Sequence, residues 1–180
     1  MSIKQKHAMI DIETMSVTTG SAIVSIGAVL FSPNDSKVYG KNTFYTELAW
    51  ETQGREIDES TREWWKPQSG RVKEALGGSA SLKEALQDLS EWLPRGCKVW
   101  GNGPTFDISI LQDAYTQEGL KVPWKFYDIR DCRTVVDMYE STQGKFYKKA
   151  GEGAHNALHD ALYQAKYVTW MWKKLLKSGN

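Results

Sequence analysis

The stretch Ala8-Met9-Ile10-Asp11-Ile12-Glu13-Thr14 determines the start of the fold, because an apolar run ends in two acids. A second apolar run, AIVSIGAVLF at residues 22–31, follows it, and residues 38–48 form a third after the turn Pro33-Asn34-Asp35. Runs of this length and β-branched content predict strands, the first of them buried. Three strands in succession predict an antiparallel meander.

The rest of the chain alternates between helix and strand signals. The pattern Ser-x-x-Glu occurs at Ser60–Glu63 and again at Ser81–Glu84, and it predicts a capping box at each position. Pro67 is expected to end the first of these helices. Further strands are predicted at residues 99–100 and 126–129, and further helices at residues 106–118, 134–141 and 156–176. A meander followed by alternating elements predicts an α/β fold in which helices flank a mixed sheet.

Composition narrows the class of protein. The 180 residues are 41% hydrophobic and 25% charged, which predicts one globular domain spanning residues 1–180. The net charge of +1 is low for a protein that binds long duplexes, so a nucleic-acid ligand would be held locally, at an end. Two cysteines favour neither a disulfide scaffold nor a zinc site. Neither a signal-peptide core nor a membrane-length apolar run is evident, and we expect a cytoplasmic protein without membrane contact.

The acids at the end of the first strand are the first candidates for chemistry. Asp11 and Glu13 are two residues apart on a predicted strand, so both side chains point to the same face. Neighbouring carboxylates repel each other unless a cation lies between them, and hard cations such as Mg²⁺ take oxygen ligands. A solvated strand end explains these two residues equally well.

A second candidate acid stands where a strand gives way to a helix. Asp107 follows the turn Gly101-Asn-Gly-Pro104 and the aromatic Phe106. A carboxylate at this position also interacts favourably with the helix dipole. A helix-start charge is therefore the simpler explanation for Asp107 by itself.

The third candidate is His155-Asn-Ala-Leu-His159-Asp160, at the head of the last predicted helix. Five residues of helix correspond to about 500° of rotation, which would turn His155 away from Asp160. We therefore predict that His155 lies on the loop before the helix. His159 is about 100° from Asp160 around the helix, so it is interpreted as structural, as is His7.

The three segments together resemble the exonuclease motifs of the DnaQ-like (DEDD) superfamily. That superfamily has D-x-E first, an aromatic residue followed by Asp second, and either H-x4-D or Y-x3-D third. The residue four before Asp160 is Asn156, which excludes the tyrosine subclass and fits the histidine (DEDDh) subclass. The resemblance implies an RNase H-like mixed sheet flanked by helices.

A narrower resemblance covers nearly the whole chain. Asp11-Ile-Glu-Thr-Met15, the Trp64-Trp65 segment at residues 60–69, and residues 126–131 and 155–160 are similar to the exonuclease A group of T-even phages. They are more loosely similar to the mycobacterial oligo(A)-trimming exoribonuclease group. Relatives on this branch divide between DNA and RNA substrates.

The resemblance implies a 3′→5′ exonuclease that uses two Mg²⁺ or Mn²⁺ ions. Its substrates would be single-stranded DNA or RNA ends, and its products nucleoside 5′-monophosphates. The implied metal ligands are Asp11, Glu13, Asp107 and Asp160, with His155 as the general base. Residues expected to contact the substrate are Thr14, Met15, Trp64, Trp65 and Phe106.

Several alternatives stay open at this point. Trp64 and Trp65 are about 100° apart on a helix, so one can anchor the helix while the other faces the site, or both can be buried. Met15 can equally be a core residue, and Lys145, Lys148 and Lys149 can contact phosphates or form a solvated loop. A non-catalytic nucleic-acid-binding domain, or a phosphodiesterase acting on very short oligonucleotides, would share the fold. A homodimer is compatible with the sequence.

Overall fold

A mixed five-stranded sheet organises the protein. The computed structural model describes residues 7–68, 75–146 and 155–177. The strands are β1 (His7–Thr14), β2 (Ile23–Ser32), β3 (Lys37–Glu47), β4 (Lys98–Gly101) and β5 (Ile129–Asp131), in the order β3-β2-β1-β4-β5. The first three strands pair antiparallel, whereas β4 and β5 run parallel to β1. This arrangement confirms the predicted meander and the mixed α/β class.

Five helices flank the sheet within the described residues. They are α1 (Glu59–Trp65), α2 (Leu82–Trp92), α3 (Asp107–Gln117), α4 (Cys132–Gln143) and α5 (Ala157–Lys177). Short 3-10 turns occupy Trp50–Thr52 and Phe126–Asp128. Across the described part of the chain, none of the helices combines the length and the apolar character that spanning a membrane requires.

One of the two predicted capping boxes is present in the structure. Ser81 and Glu84 form the predicted capping box of α2. The capping box predicted at Ser60 and Glu63 is wrong, because α1 begins earlier and Asp58 is its N-cap. The Asp58 carboxylate accepts the backbone N–H of Thr61 at 2.8 Å. An aspartate in extended backbone is as good a cap as a serine, and it places Ser60 inside the first turn.

The fifth strand lies further along the chain than predicted. Residues 126–129 were expected to form it, but Phe126–Asp128 is a 3-10 turn, and Phe126 is 81% exposed. The strand is Ile129–Asp131, and it pairs with the end of β4 through Val99 and Ile129. Aromatic residues favour strands on average, but here they lie on the surface beside the sheet.

The two faces of the sheet pack against different helices. Ala8, Ile10 and Ile12 belong to the core that includes residues of α2 and α3, whereas Met9 belongs to the core that includes residues of α4 and α5. Side chains alternate along a strand, so Asp11 and Glu13 point to the same face as Met9. This alternation directs both acids toward α5.

Gly27 allows α5 to approach the sheet at the position of these acids. It lies opposite Asp11 in the β1–β2 register. A Cβ atom at Gly27 would be 2.2 Å from the carbonyl carbon of Ala157 and 2.2 Å from the backbone nitrogen of Leu158. Only a glycine leaves room for the first turn of α5 against β2, and this contact brings the start of α5 beside Asp11.

Candidate active site

Three of the predicted acids meet at the junction of β1 and α5. One carboxylate oxygen from each of Asp11, Glu13 and Asp160 lies within 4.8 Å of the others. Asp11 and Glu13 share a face of β1, as their spacing predicts, and Asp160 lies in the first turn of α5. The structure thus brings together residues from the first and the last element of the chain.

The fourth predicted acid, Asp107, also contacts β1. It is the first residue of α3, and it is only 5% exposed. Its Oδ1 accepts the backbone N–H of Ile12 at 3.2 Å, which ties it to the strand between Asp11 and Glu13. A helix-start charge in solvent would not be buried in this way. Together with Asp11, Glu13 and Asp160, it forms what we call the four-acid cluster.

The four-acid cluster is electrostatically strained without a cation. Burial, followed by repulsion from Asp107 and Glu13, raises the pKa of Asp11 well above its usual range. Burial and the neighbouring Asp160 and Asp107 carboxylates raise the pKa of Glu13 to about 8. Burial raises the pKa of Asp107 to about 7, although the positive charge of Arg133 opposes the shift. Within the described residues no lysine or arginine forms an ion pair with any of the four. Convergent oxygen ligands of this kind fit hard divalent cations.

His155 is held outside the last helix. Its backbone has a φ of 69°, in the left-handed region, and its N–H donates to Asp160 Oδ2 at 3.0 Å. Asn156 Oδ1 accepts the N–H of His159 at 3.1 Å, a bond typical of a helix N-cap. The predicted non-helical position of His155 is therefore confirmed, and His159 lies exposed on the helix beyond it.

The two tryptophans of α1 have different environments. Trp65 is 2% exposed, and its indole N–H donates to the carbonyl of Thr14 at 3.1 Å. Trp64 is 43% exposed, and its ring is nearly perpendicular to that of His155, with 4.8 Å between the centroids. The structure places one tryptophan in the core and the other beside the predicted general base.

The other predicted substrate contacts lie close to the four-acid cluster but are mostly buried. Thr14 is 8% exposed and Met15 is 1% exposed. The Met15 N–H donates to the carbonyl of Ala22, and its side chain belongs to the core beneath α1. Phe106 is half-buried next to Asp107. Met15 is thus a core side chain in this structure, which agrees with the packing alternative.

The lysines near His155 give little further information. Lys145 is exposed, as a solvated loop residue would be. Lys148 and Lys149 lie outside the described residues.

Two side chains at the site were not predicted from the sequence. Gln164 donates its Nε2–H to Asp11 Oδ1 at 2.7 Å and is 5% exposed. The guanidinium group of Arg133 lies against Gly103. A Cβ atom added to Gly103 would be 3.0 Å from the central carbon of this guanidinium group. The available signal for Gln164 was its position one helical turn after Asp160.

This geometry defines the class of protein. The features of a DEDDh 3′→5′ exonuclease are present: an Asp-x-Glu pair on the first strand, an aspartate at the start of the helix after β4, and a loop histidine five residues before an aspartate. The model of the Rv2179c-like 3′–5′ exoribonuclease domain matches residues 6–172, and the chain belongs to this family. A curated relative, the exodeoxyribonuclease of Enterobacteria phage T4, is 24% identical over 190 residues, covering 84% of this chain and 82% of the relative.

Solved structures show the same DnaQ/RNase H-like fold. The cell-death related nuclease CRN-4 has a TM-score of 0.71 at 12% identity, over 94% of this chain and 64% of its own. The nuclease domain of 3′hExo, a DEDDh family member bound to rAMP, has a TM-score of 0.61 at 15% identity, over 96% of this chain and 94% of its own. Exonuclease I of E. coli in complex with a dT13 oligonucleotide has a TM-score of 0.68 at 12% identity, over 97% of this chain. The chain spans 43% of the exonuclease I chain and just under two thirds of CRN-4.

Proposed function

We propose that this exonuclease hydrolyses single-stranded nucleic-acid ends with two divalent cations and releases nucleoside 5′-monophosphates. The observation that carries the proposal is the four-acid cluster, which has no ion-pair partner among the described residues and lies next to His155. Two dications would balance this negative charge. When bound, they would supply charge stabilisation for the attacking and leaving oxygens of the phosphodiester.

Each residue of the site has a proposed role. Asp11, central to the four-acid cluster, would contact both ions. Glu13 and Asp160 would hold one of them and Asp107 the other, as the family pattern implies. His155 would accept the proton of the attacking water, because an imidazole nitrogen can act as a general base. The imidazole of His155 is exposed to solvent. The backbone N–H of His155 donates to the Asp160 carboxylate at 3.0 Å, which holds the residue in place.

Trp64 is the best placed of the proposed substrate contacts. Trp64 is 43% exposed beside His155, so a terminal base could stack on the exposed part of its ring. Stacking of a base on an aromatic ring contributes about 1–3 kcal/mol and tolerates any base. Trp65 would act indirectly by holding the Thr14 carbonyl. Thr14 and Phe106 would line the same end of the sheet, beside Glu13 and Asp107.

Single-stranded ends are the substrate that the charge and the relatives favour. The net charge of +1 offers little for a long duplex. Exonuclease I has been solved with dT13 and the 3′hExo nuclease domain with rAMP, which are short or single-stranded ligands of those proteins. The family is described as exoribonuclease, whereas the phage relative is an exodeoxyribonuclease. Both sugars are therefore candidate substrates.

The test is a digestion of 5′-labelled oligonucleotides by the wild type and by Asp11→Asn. Single-stranded DNA, RNA, oligo(A), a blunt duplex and a dinucleotide should be compared with Mg²⁺, with Mn²⁺ and with EDTA. We expect a descending ladder on single strands, which disappears in EDTA and in the variant. Immediate release of labelled mononucleotide from the longer single strands, or full activity of Asp11→Asn, would contradict the proposal. Cleavage of the dinucleotide alone would favour the phosphodiesterase alternative.

A further inference from the structure

Gln164, on α5, donates a hydrogen bond to a member of the four-acid cluster. Its Nε2 lies 2.7 Å from Asp11 Oδ1. Four residues of helix correspond to about 400° of rotation, so Asp160 and Gln164 share a helix face. The helix that supplies one acid of the cluster therefore also supplies a neutral donor to another.

The orientation of this amide follows from its surroundings. In the structure the NH₂ group faces Asp11, and this is the orientation that suits the ionised, cation-binding form of the carboxylate, which can only accept hydrogen bonds. The Gln164 Oε1 is buried and accepts no hydrogen bond within the described part of the chain. A buried polar atom without a partner lowers the stability of a protein. A methionine or leucine of similar size would avoid that cost, so stability alone does not explain a glutamine here.

The hydrogen bond from Gln164 affects the orientation of the Asp11 carboxylate. This carboxylate faces Asp107, Glu13 and Asp160, and their repulsion would turn it away from the position where its oxygens converge with theirs. A hydrogen bond to Oδ1 fixes the rotation of the carboxylate plane. It leaves the remaining lone pairs directed at the space that the other acids share.

We propose that Gln164 is a positioning residue, which holds the Asp11 carboxylate in the orientation that binds divalent cations. The inference rests on the proposed function, because it requires a metal site at the four-acid cluster. Residues that hydrogen-bond metal ligands typically change metal affinity or activity by about 10–100-fold when they are replaced.

The test compares Gln164→Met, which keeps the size and removes the donor, with Thr169→Val as the control. Thr169 is buried on the same helix, and its hydroxyl donates to the carbonyl of Ala165 at 2.6 Å. The Mn²⁺ affinity of the EDTA-treated proteins is measured by calorimetry. Their melting temperature is measured in EDTA, and kcat and KM are determined at saturating and at limiting Mn²⁺. Gln164→Asn, whose shorter side chain cannot reach Asp11, serves if the methionine variant does not fold.

We expect Gln164→Met to bind Mn²⁺ about 10–100-fold more weakly, with KM for the oligonucleotide unchanged. Its kcat should fall most at limiting Mn²⁺, and its melting temperature in EDTA should match that of Thr169→Val. Wild-type Mn²⁺ affinity in Gln164→Met would overturn the inference, whether or not the melting temperature falls. Asp11→Asn separates the two claims. If it also binds Mn²⁺ like the wild type, the metal site itself is wrong, whereas loss of binding in Asp11→Asn alone rejects only the role of Gln164.

Discussion

Replacing Gly27 with alanine should damage catalysis more than it damages the fold. Gly27 is in the middle of β2, opposite Asp11, and touches no substrate in the proposed mechanism. The added methyl group would meet the backbone of Ala157 and Leu158 at 2.2 Å. Because these are main-chain atoms, no side chain can rotate away, and the start of α5 must move.

The size of the effect follows from these distances. Ordinary contacts begin near 3.4 Å, so α5 must retreat from the sheet by about 1.2 Å at its first turn. That turn carries Asp160 and follows His155 directly, so both would shift relative to Asp11. A misplacement of about 1 Å can cost about 100-fold in rate. Overpacking costs about 1–3 kcal/mol, or roughly 2–12 °C in Tm for a chain of this length.

The assay measures kcat, Mn²⁺ affinity and Tm for Gly27→Ala beside Gly40→Ala. Gly40 is also a strand glycine, on β3, but nothing lies within 4 Å of an added Cβ. We expect a loss of about 100-fold in kcat and weaker Mn²⁺ binding in the first variant only. A folded Gly27→Ala protein with wild-type turnover would show that the approach of α5 does not set the site geometry. Equal losses in both variants would attribute the effect to strand glycines in general.

Three further perturbations test the site. In EDTA, Tm should rise as the pH falls from 8 to 6.5. Burial raises the pKa of Glu13 to about 8, so in this range the folded state binds a proton that the unfolded chain releases. A thermal-shift profile that is flat across this pH range would contradict the prediction. His155→Ala should lose about 10²–10⁴-fold in kcat, whereas His159→Ala should keep substantial activity, and the reverse order would reject His155 as the base. Trp65→Ala should lower Tm and Trp64→Ala should raise KM by roughly 5–150-fold, from about 1–3 kcal/mol of stacking; a Tm loss in both with unchanged KM would reject the stacking role.

The sequence predicted those parts of the fold that local patterns determine. The meander follows from three apolar runs, and the capping box at Ser81 follows from four adjacent residues. The start of α1 could not be predicted in this way, because Ser60 and Asp58 are both good caps. The choice depends on a distant contact, in which the Asp58 N–H donates to the carbonyl of Met15 at 2.8 Å. The exposed Phe126 was misassigned for the same reason, since strand propensity does not say which residues the sheet will cover.

The missing member of the site, Gln164, shows what a stricter use of the sequence could have recovered. Its helix neighbours Ala161, Ala165 and Val168 are apolar, and Gln164 is buried with them on the same face of α5. A buried amide needs a hydrogen-bond partner. It stands one turn from Asp160, and the acids expected near Asp160 were those of the first strand. A polar residue that interrupts the apolar face of a helix, one turn after a predicted ligand, therefore predicts a contact with the same site, although only the folded chain identifies Asp11 as the partner.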